Sequence, residues 1–168
     1  MKTIKGMIGV AAIAAGCFMT SNGQAMAKSY KVVSVTDGDT IRVQDGRNKV
    51  YVRLIGVDAP ELSSRANTKK GCYAVQSKNY LTRRLLGKYV DLRRDFLSGD
   101  KDVYGRLLRY VYLGREEINL SLVLNGYARE YRFYANDYVR RPGYTIAQNT
   151  AKIFRRGLWN LRTCSMNR

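Results

Sequence analysis

Arg53-Leu54-Ile55-Gly56-Val57-Asp58-Ala59-Pro60-Glu61 places one arginine and two carboxylates in a short run that follows an apolar stretch. Upstream, Asp37-Gly38-Asp39-Thr40 adds two acids around a glycine. Downstream, Asp102-Val103-Tyr104-Gly105-Arg106 adds an acid, a tyrosine and an arginine. Each group has a plainer reading alone. Asp and Gly build β-turns, acids cap loops, and a lone arginine is usually solvated. Together they suit one kind of chemistry. Carboxylates brought close repel in a partly desolvated site, and a hard cation with oxygen ligands relieves that repulsion. Arginine forks fit phosphate oxygens two at a time. A further carboxylate can take a proton from water. The chain has no histidine. That excludes Ser-His-Asp triads, Cys-His pairs, two-histidine phosphodiester mechanisms and His-built metal centres. With no histidine and no clustered cysteine, calcium or magnesium is the cation class, not zinc.

These residues need a scaffold. Lys31 to Thr36 is rich in Val, and Thr40 to Gln44 alternates Ile41 and Val43 with polar residues. Asp45-Gly46 signals a turn, and Asn48 to Ile55 puts Val50, Val52 and Leu54 on one face. A three-strand meander is expected, with its first turn and the far end of its third strand at the same end of the sheet. Asp39 and Asp58 would then approach each other. Residues 73–86 read as a helix with Ala74, Leu81 and Leu85 on one face and Gly87 as its stop. Tyr89 to Arg93 and Leu107 to Leu113 read as further strands. Asn119 is expected to cap a helix in which Leu120, Val123, Leu124 and Tyr127 share a face, ending near Gly126. A last helix is expected from Tyr144 to Arg156, burying Ala147, Ala151, Phe154 and Leu158, with Gly157 as its stop. The order βββ-α-ββ-α-α is that of an OB-fold: α+β, a five-stranded β-barrel with three α-helices.

Asp-Gly-Asp-Thr, then the Arg53 to Glu61 run, then Asp-x-Tyr-Gly-Arg, then Asn119 to Gly126 and Gly157-Leu158-Trp159 resemble, in that order, the staphylococcal nuclease (thermonuclease) family. The resemblance covers nearly all of residues 30–160 and implies the same OB-type barrel. It also implies hydrolysis of DNA and RNA with Ca2+, leaving 3′-phosphate ends. Asp39 and Asp58 are then calcium ligands through their carboxylates, and Ala59 is a ligand through its carbonyl, where the family often has Thr. Glu61 orients or deprotonates the attacking water, and Arg53 and Arg106 grip the scissile phosphate. Tyr104 matches a phosphate-contacting tyrosine. Tyr134 matches one that borders the nucleotide pocket, with Tyr131 as the alternative. Val103 stands where the type enzyme carries a phosphate-binding lysine. The competing reading is an OB-fold module that binds nucleic acid without cutting it. All five expected catalytic and ligand side chains are present, which favours the enzyme.

The rest of the chain fits an exported protein. Lys2 and Lys5, the apolar run Met7 to Ala15, and Ala25-Met26-Ala27 before Lys28 read as a signal peptide over 1–27. The run is too short to span a bilayer. A lipid anchor at Cys17 is the alternative, since Ala14-Ala15-Gly16-Cys17 loosely resembles a lipobox. One domain follows over 29–161, then a basic tail over 162–168. Cys72 and Cys164 remain after cleavage, and in an oxidising compartment such a pair suggests a disulfide. The net charge is +17, which attracts polyanions through counterion release. Charge alone does not separate polynucleotides from anionic cell surfaces. DNA and RNA are the expected partners. No protein partner is implied, and a monomer is expected, in the periplasm or secreted.

Overall fold

The computed structural model describes residues 28–62, 71–131 and 137–164. The expected leader, its Cys17 alternative and Tyr134 lie outside the described residues. Five strands form the barrel: β1 (Ser29–Val35), β2 (Thr40–Asp45), β3 (Asn48–Leu54), β5 (Tyr89–Arg93) and β6 (Leu107–Leu113). They run in the order β3-β2-β1-β5-β6, and β6 returns to pair with β3, so the sheet closes on itself. Every neighbouring pair is antiparallel except β3–β6, which is parallel with Arg53 opposite Leu108. Closure leaves the central strands without a free edge. Short pieces finish the ends: β4 (Val57–Asp58) pairs with β8 (Arg129–Glu130), and β7 (Glu116–Glu117) pairs with β6.

The alternation read from the sequence is what fills the barrel. Val32, Ile41, Val43, Val52, Leu54, Val90 and Val111 are all buried inside it. Burying each such side chain contributes about 1.5–3 kcal/mol. The expected hairpin forms, with Asp45 opposite Asn48.

The helices follow expectation in number and differ in detail. α1 (Ala74–Leu85) buries Ala74, Leu81 and Leu85 as expected, together with Ser77. α2 (Ile118–Leu124) buries Ile118, Asn119, Leu122 and Val123. Leu120, Leu124 and Tyr127 only flank that core. Asn119 is not a cap. Glu117 holds the cap position, and the Asn119 amide lies fully buried inside the helix. It accepts from the Val111 N–H and donates to the carbonyls of Ile55 and Arg109, stitching the helix to β6 and to the turn after β3. α3 (Arg141–Ile153) starts three residues earlier than the pattern suggested. Pro142 sits in its first turn, where no intrahelical N–H is needed. The helix also ends earlier. Arg155 adopts a left-handed φ of 49°, and Phe154, expected on the buried face, is 65% exposed. Among the described residues, no helix is long and apolar enough to cross a membrane.

Cys72 and Cys164 are bonded, with their Cα atoms 5.7 Å apart. The bridge ties the first residues of the basic tail to the entry of α1.

Candidate active site

Three elements meet at one end of the barrel. The turn between β1 and β2 carries Asp37, Gly38 and Asp39. The end of β3 carries Arg53, and β4 with the residues after it carries Asp58, Ala59 and Glu61. Two glycines allow the meeting. Gly56 turns the chain from β3 into β4 at φ +73°, and a Cβ there would lie 2.8 Å from the Tyr138 ring. Gly38 lies so close to α1 that a Cβ would come within 2.1 Å of Ser77 Oγ and 2.6 Å of Ala59 Cβ. Any side chain at Gly38 would push the acidic turn away from β4.

Asp39 is the centre of the corner and is 4% exposed. Its Oδ2 accepts from the Ala59 N–H at 3.1 Å and faces Arg53 Nη1 at 2.9 Å. The same guanidinium nitrogen donates to the Val57 carbonyl at 2.7 Å, which fixes Arg53 against the bend. Asp39 Oδ1 accepts from Thr40 Oγ1 at 3.0 Å. Thr40 Oγ1 in turn accepts from Arg106 Nη1 at 3.3 Å. One buried hydroxyl therefore links the acid of the first motif to the arginine of the third.

Arg106 is aimed by its own loop. Its Nε donates to Asp102 Oδ2 at 2.6 Å, and Asp102 Oδ1 accepts from the backbone N–H groups of Tyr104 and Arg106. The Tyr104 ring lies 5.3 Å from the Arg106 guanidinium and is 79% exposed, open to a ligand. Val103, which breaks the family pattern, is 94% exposed. The Arg53 guanidinium lies 5.7 Å from the Tyr131 ring, so Tyr131 borders the corner.

Glu61 stands at the mouth, exposed. Its carbonyl accepts from the Gly71 N–H at 3.0 Å, one residue before the bridged Cys72. Burial pushes its carboxyl above the ordinary value. The charges of Asp37 and Asp58 push the same way, and Arg53 and Arg106 oppose them. Asp37, Arg53, Asp58 and Arg106 thus all lie close enough to act on the Glu61 carboxyl. Burial also pushes the Asp39 carboxyl up to about 7. Arg53 opposes this, the Asp37 charge adds to it, and the Ala59 N–H opposes it.

The donors here are all oxygen. Among the described residues, no group of three or more acidic, cysteine or histidine side chains is arranged to hold a metal by itself. Two carboxylates and a carbonyl match a hard divalent cation that keeps part of its water shell. A carboxylate has about four acceptor sites, and Asp39 Oδ1 uses one of its own on Thr40. It is therefore the atom with room to spare. A nearby cation also favours the charged form that burial disfavours at Asp39.

The sequence pointed to Asp39, Arg53, Asp58, Ala59, Glu61, Tyr104 and Arg106, and the structure gathers them. It missed Thr40 as a connector, although Thr40 stood inside a quoted motif. It also missed Ser77, whose buried hydroxyl has no hydrogen-bond partner among the described residues and packs beneath Gly38. Nothing in a lone helical serine signals such a contact. Tyr127 stacks on Tyr80 with ring centroids 4.0 Å apart, and Ala128 and Glu130 are buried.

Comparison with known proteins agrees with this geometry. Residues 51–161 match the family described as staphylococcal nuclease homologue. The thermonuclease of Staphylococcus hyicus is 35% identical over 151 residues, spanning 85% of this chain and 87% of that protein. The thermonuclease of Staphylococcus intermedius is 38% identical over 125 residues, 74% of this chain and 73% of its own. An uncharacterized endonuclease of Escherichia coli O157:H7 is 36% identical over 131 residues, 77% of this chain and 76% of its own. With the barrel, the corner and these relatives in agreement, the chain belongs to the staphylococcal nuclease family.

Proposed function

We propose that the protein is an exported, calcium-dependent nuclease that hydrolyses phosphodiester bonds of DNA and RNA and leaves 3′-phosphate ends. That it is a nuclease rests on its family membership together with an intact corner. The observation that carries the finer reading is the convergence of Asp39, Arg53, Asp58, Glu61 and Arg106 on one end of the barrel. Asp39 and Asp58, with the Ala59 carbonyl, are the groups to hold calcium. When bound, calcium supplies a hard positive charge that offsets the carboxylates and the phosphate. Glu61, at the mouth and exposed to water, positions the nucleophile and takes its proton. Arg53 and Arg106, each held by an acid, face the phosphate with donors already oriented and stabilise charge as it grows in the transition state. Tyr104, beside Arg106, contacts phosphate or base.

Export is supported by the leader pattern at 1–27 and by the Cys72–Cys164 bond, since such bonds persist in oxidising compartments. Intact mass of the cell-derived protein separates cleavage before Lys28 from acylation at Cys17.

Incubating the purified protein with single-stranded DNA, first with calcium and then with excess chelator, tests the main reading. Cleavage only with calcium, leaving 3′-phosphate ends, is expected. Binding without calcium-dependent cleavage would instead establish a non-catalytic binding module. Glu61→Gln is expected to lower turnover by about 10²–10³ while leaving DNA binding nearly unchanged. Cleavage at the wild-type rate would remove Glu61 from the reaction.

A further inference from the structure

The outward side of α3 carries two exposed isoleucines among polar residues. Tyr144, Ala147, Gln148 and Ala151 turn inward. At helical spacing Ile146 and Ile153 share the opposite side, and they are 67% and 76% exposed. Phe154, at the end of the helix next to Ile153, is 65% exposed. Such residues grouped on one rigid helix cover nothing in the domain, and grouped exposed apolar side chains mark interaction surfaces.

The surroundings indicate the partner. The sequence contains no acid from Tyr138 to its last residue. Arg140 and Arg141, at the start of α3, are neutralised by Glu117, Glu130 and Asp137. Lys152, Arg155 and Arg156, at its end, have no carboxylate partner among the described residues. Lys152 and Arg156 instead lie over the rings of Trp159 and Phe154. The free positive charge therefore collects where the exposed apolar side chains are. A nucleic acid would use the charge, but it offers flat bases that stack on aromatic rings and gain little from isoleucine. Hydrocarbon has a use for both Ile146 and Ile153. Basic residues flanking an apolar helix face are the pattern of binding to anionic lipid.

We propose that the face formed by Ile146, Ile153 and Phe154, with Lys152, Arg155 and Arg156 beside it, docks the folded domain on an anionic lipid bilayer. This surface is separate from the nuclease corner and does not depend on the reaction assigned there. Docking would hold the enzyme at a cell surface rather than free in solution.

Trp159 is the chain's single tryptophan. It lies beside Lys152, one of the basic residues of the proposed surface, so its fluorescence reports on the approach of lipid there and not on the leader. The full chain is mixed with vesicles of bromine-labelled phosphatidylglycerol and phosphatidylcholine, or of labelled phosphatidylcholine alone. Quenching of Trp159 only in the anionic vesicles is expected. The triple variant Ile146→Ser, Ile153→Ser, Phe154→Ser is expected to lose at least roughly tenfold in partition while still cutting a DNA oligomer in solution. The variant Lys152→Gln, Arg155→Gln changes only exposed side chains and keeps the test decisive if the triple variant does not fold. It is expected to abolish the preference for the anionic lipid. No quenching in the wild type, or quenching unchanged in both variants, would overturn the proposal. So would a loss of DNA affinity in the variants with vesicle binding unaltered, which would assign the face to nucleic acid.

Discussion

Asp39 and Asp95 are both aspartates shut away from solvent, and the protein treats them in opposite ways. Asp95 accepts from the Tyr110 hydroxyl at 2.6 Å and from the backbone N–H groups of Leu97, Ser98 and Val139 at 2.8–2.9 Å. Burial pushes its carboxyl up, but those bonds outweigh it, and the carboxyl lies below its ordinary value. Glu117 also has its oxygens filled by donors, receiving the hydroxyls of Tyr112 and Tyr144 and the guanidinium of Arg140. Asp39 also has an arginine and a backbone N–H, yet burial carries it up to about 7. The difference lies in saturation. Asp95 and Glu117 have their acceptor sites filled by the fold, and they fasten the segment leading into α3 to the barrel. Asp39 keeps a site open beside another acid, Asp37. Holding that charge is a cost to the empty fold, of the kind a site carries for function.

The sharpest way to break this comparison is Asp39→Asn. Activity with calcium is expected to fall by about 10²–10³, because a ligand and the partner of Arg53 are lost together. Stability in chelator is expected to rise. Asp39 has a folded pKa above its unfolded one, so it costs the fold stability once the pH is above the folded value near 7. The gain should therefore be largest above about pH 7 and disappear by about pH 4, as measured by thermal unfolding across pH. A variant that loses both activity and stability at pH 8 would make Asp39 structural, like Asp95.

How far these roles were legible in the sequence depended on where each residue's partners lay. Arg53, Asp58, Glu61 and Arg106 stood in runs whose spacing survives in the folded corner, and strand alternation fixed which end they share. The barrel was legible for the same reason, since its inward residues repeat at a period of two. Asn119 was misread because an asparagine opening a helical pattern is usually a cap. Its actual partners lie in β6, at Arg109 and Val111, and at Ile55 in the distant turn after β3. Phe154 was misread because the apolar period runs on past Ile153, where α3 stops. Asp95 carried no motif at all, since its partners are backbone groups and one tyrosine hydroxyl.

Asp95→Asn tests the other half of the comparison, with a smaller effect. One oxygen becomes a donor amid groups that all donate, so a loss of about 1–3 kcal/mol in unfolding free energy is expected. Calcium-dependent cleavage by the folded variant should be unchanged. The sign with pH is opposite to that of Asp39. A depressed carboxyl stabilises above its unfolded value and loses that contribution as the pH falls through its folded value. Urea titrations should therefore show the gap between wild type and variant at pH 7 and its closing below about pH 4.

Thr40→Val is the smallest expected change and the finest test, because it alters how the corner is joined without removing a charge. Thr40 Oγ1 donates to Asp39 and accepts from Arg106, and valine has the same shape with no hydroxyl. If Thr40 only fills space, neither activity nor stability should move by more than a few tenths of a kcal/mol. If it sets the position of Arg106 relative to Asp39, kcat should fall by about tenfold, the worth of one well-placed hydrogen bond, with little change in KM for DNA. Thr40→Ser, which keeps the hydroxyl, should restore most of the rate. Rescue by serine with no change in unfolding midpoint would mean that the corner is joined by a hydrogen bond as well as by charge, which the saturated network around Asp95 has no need to do.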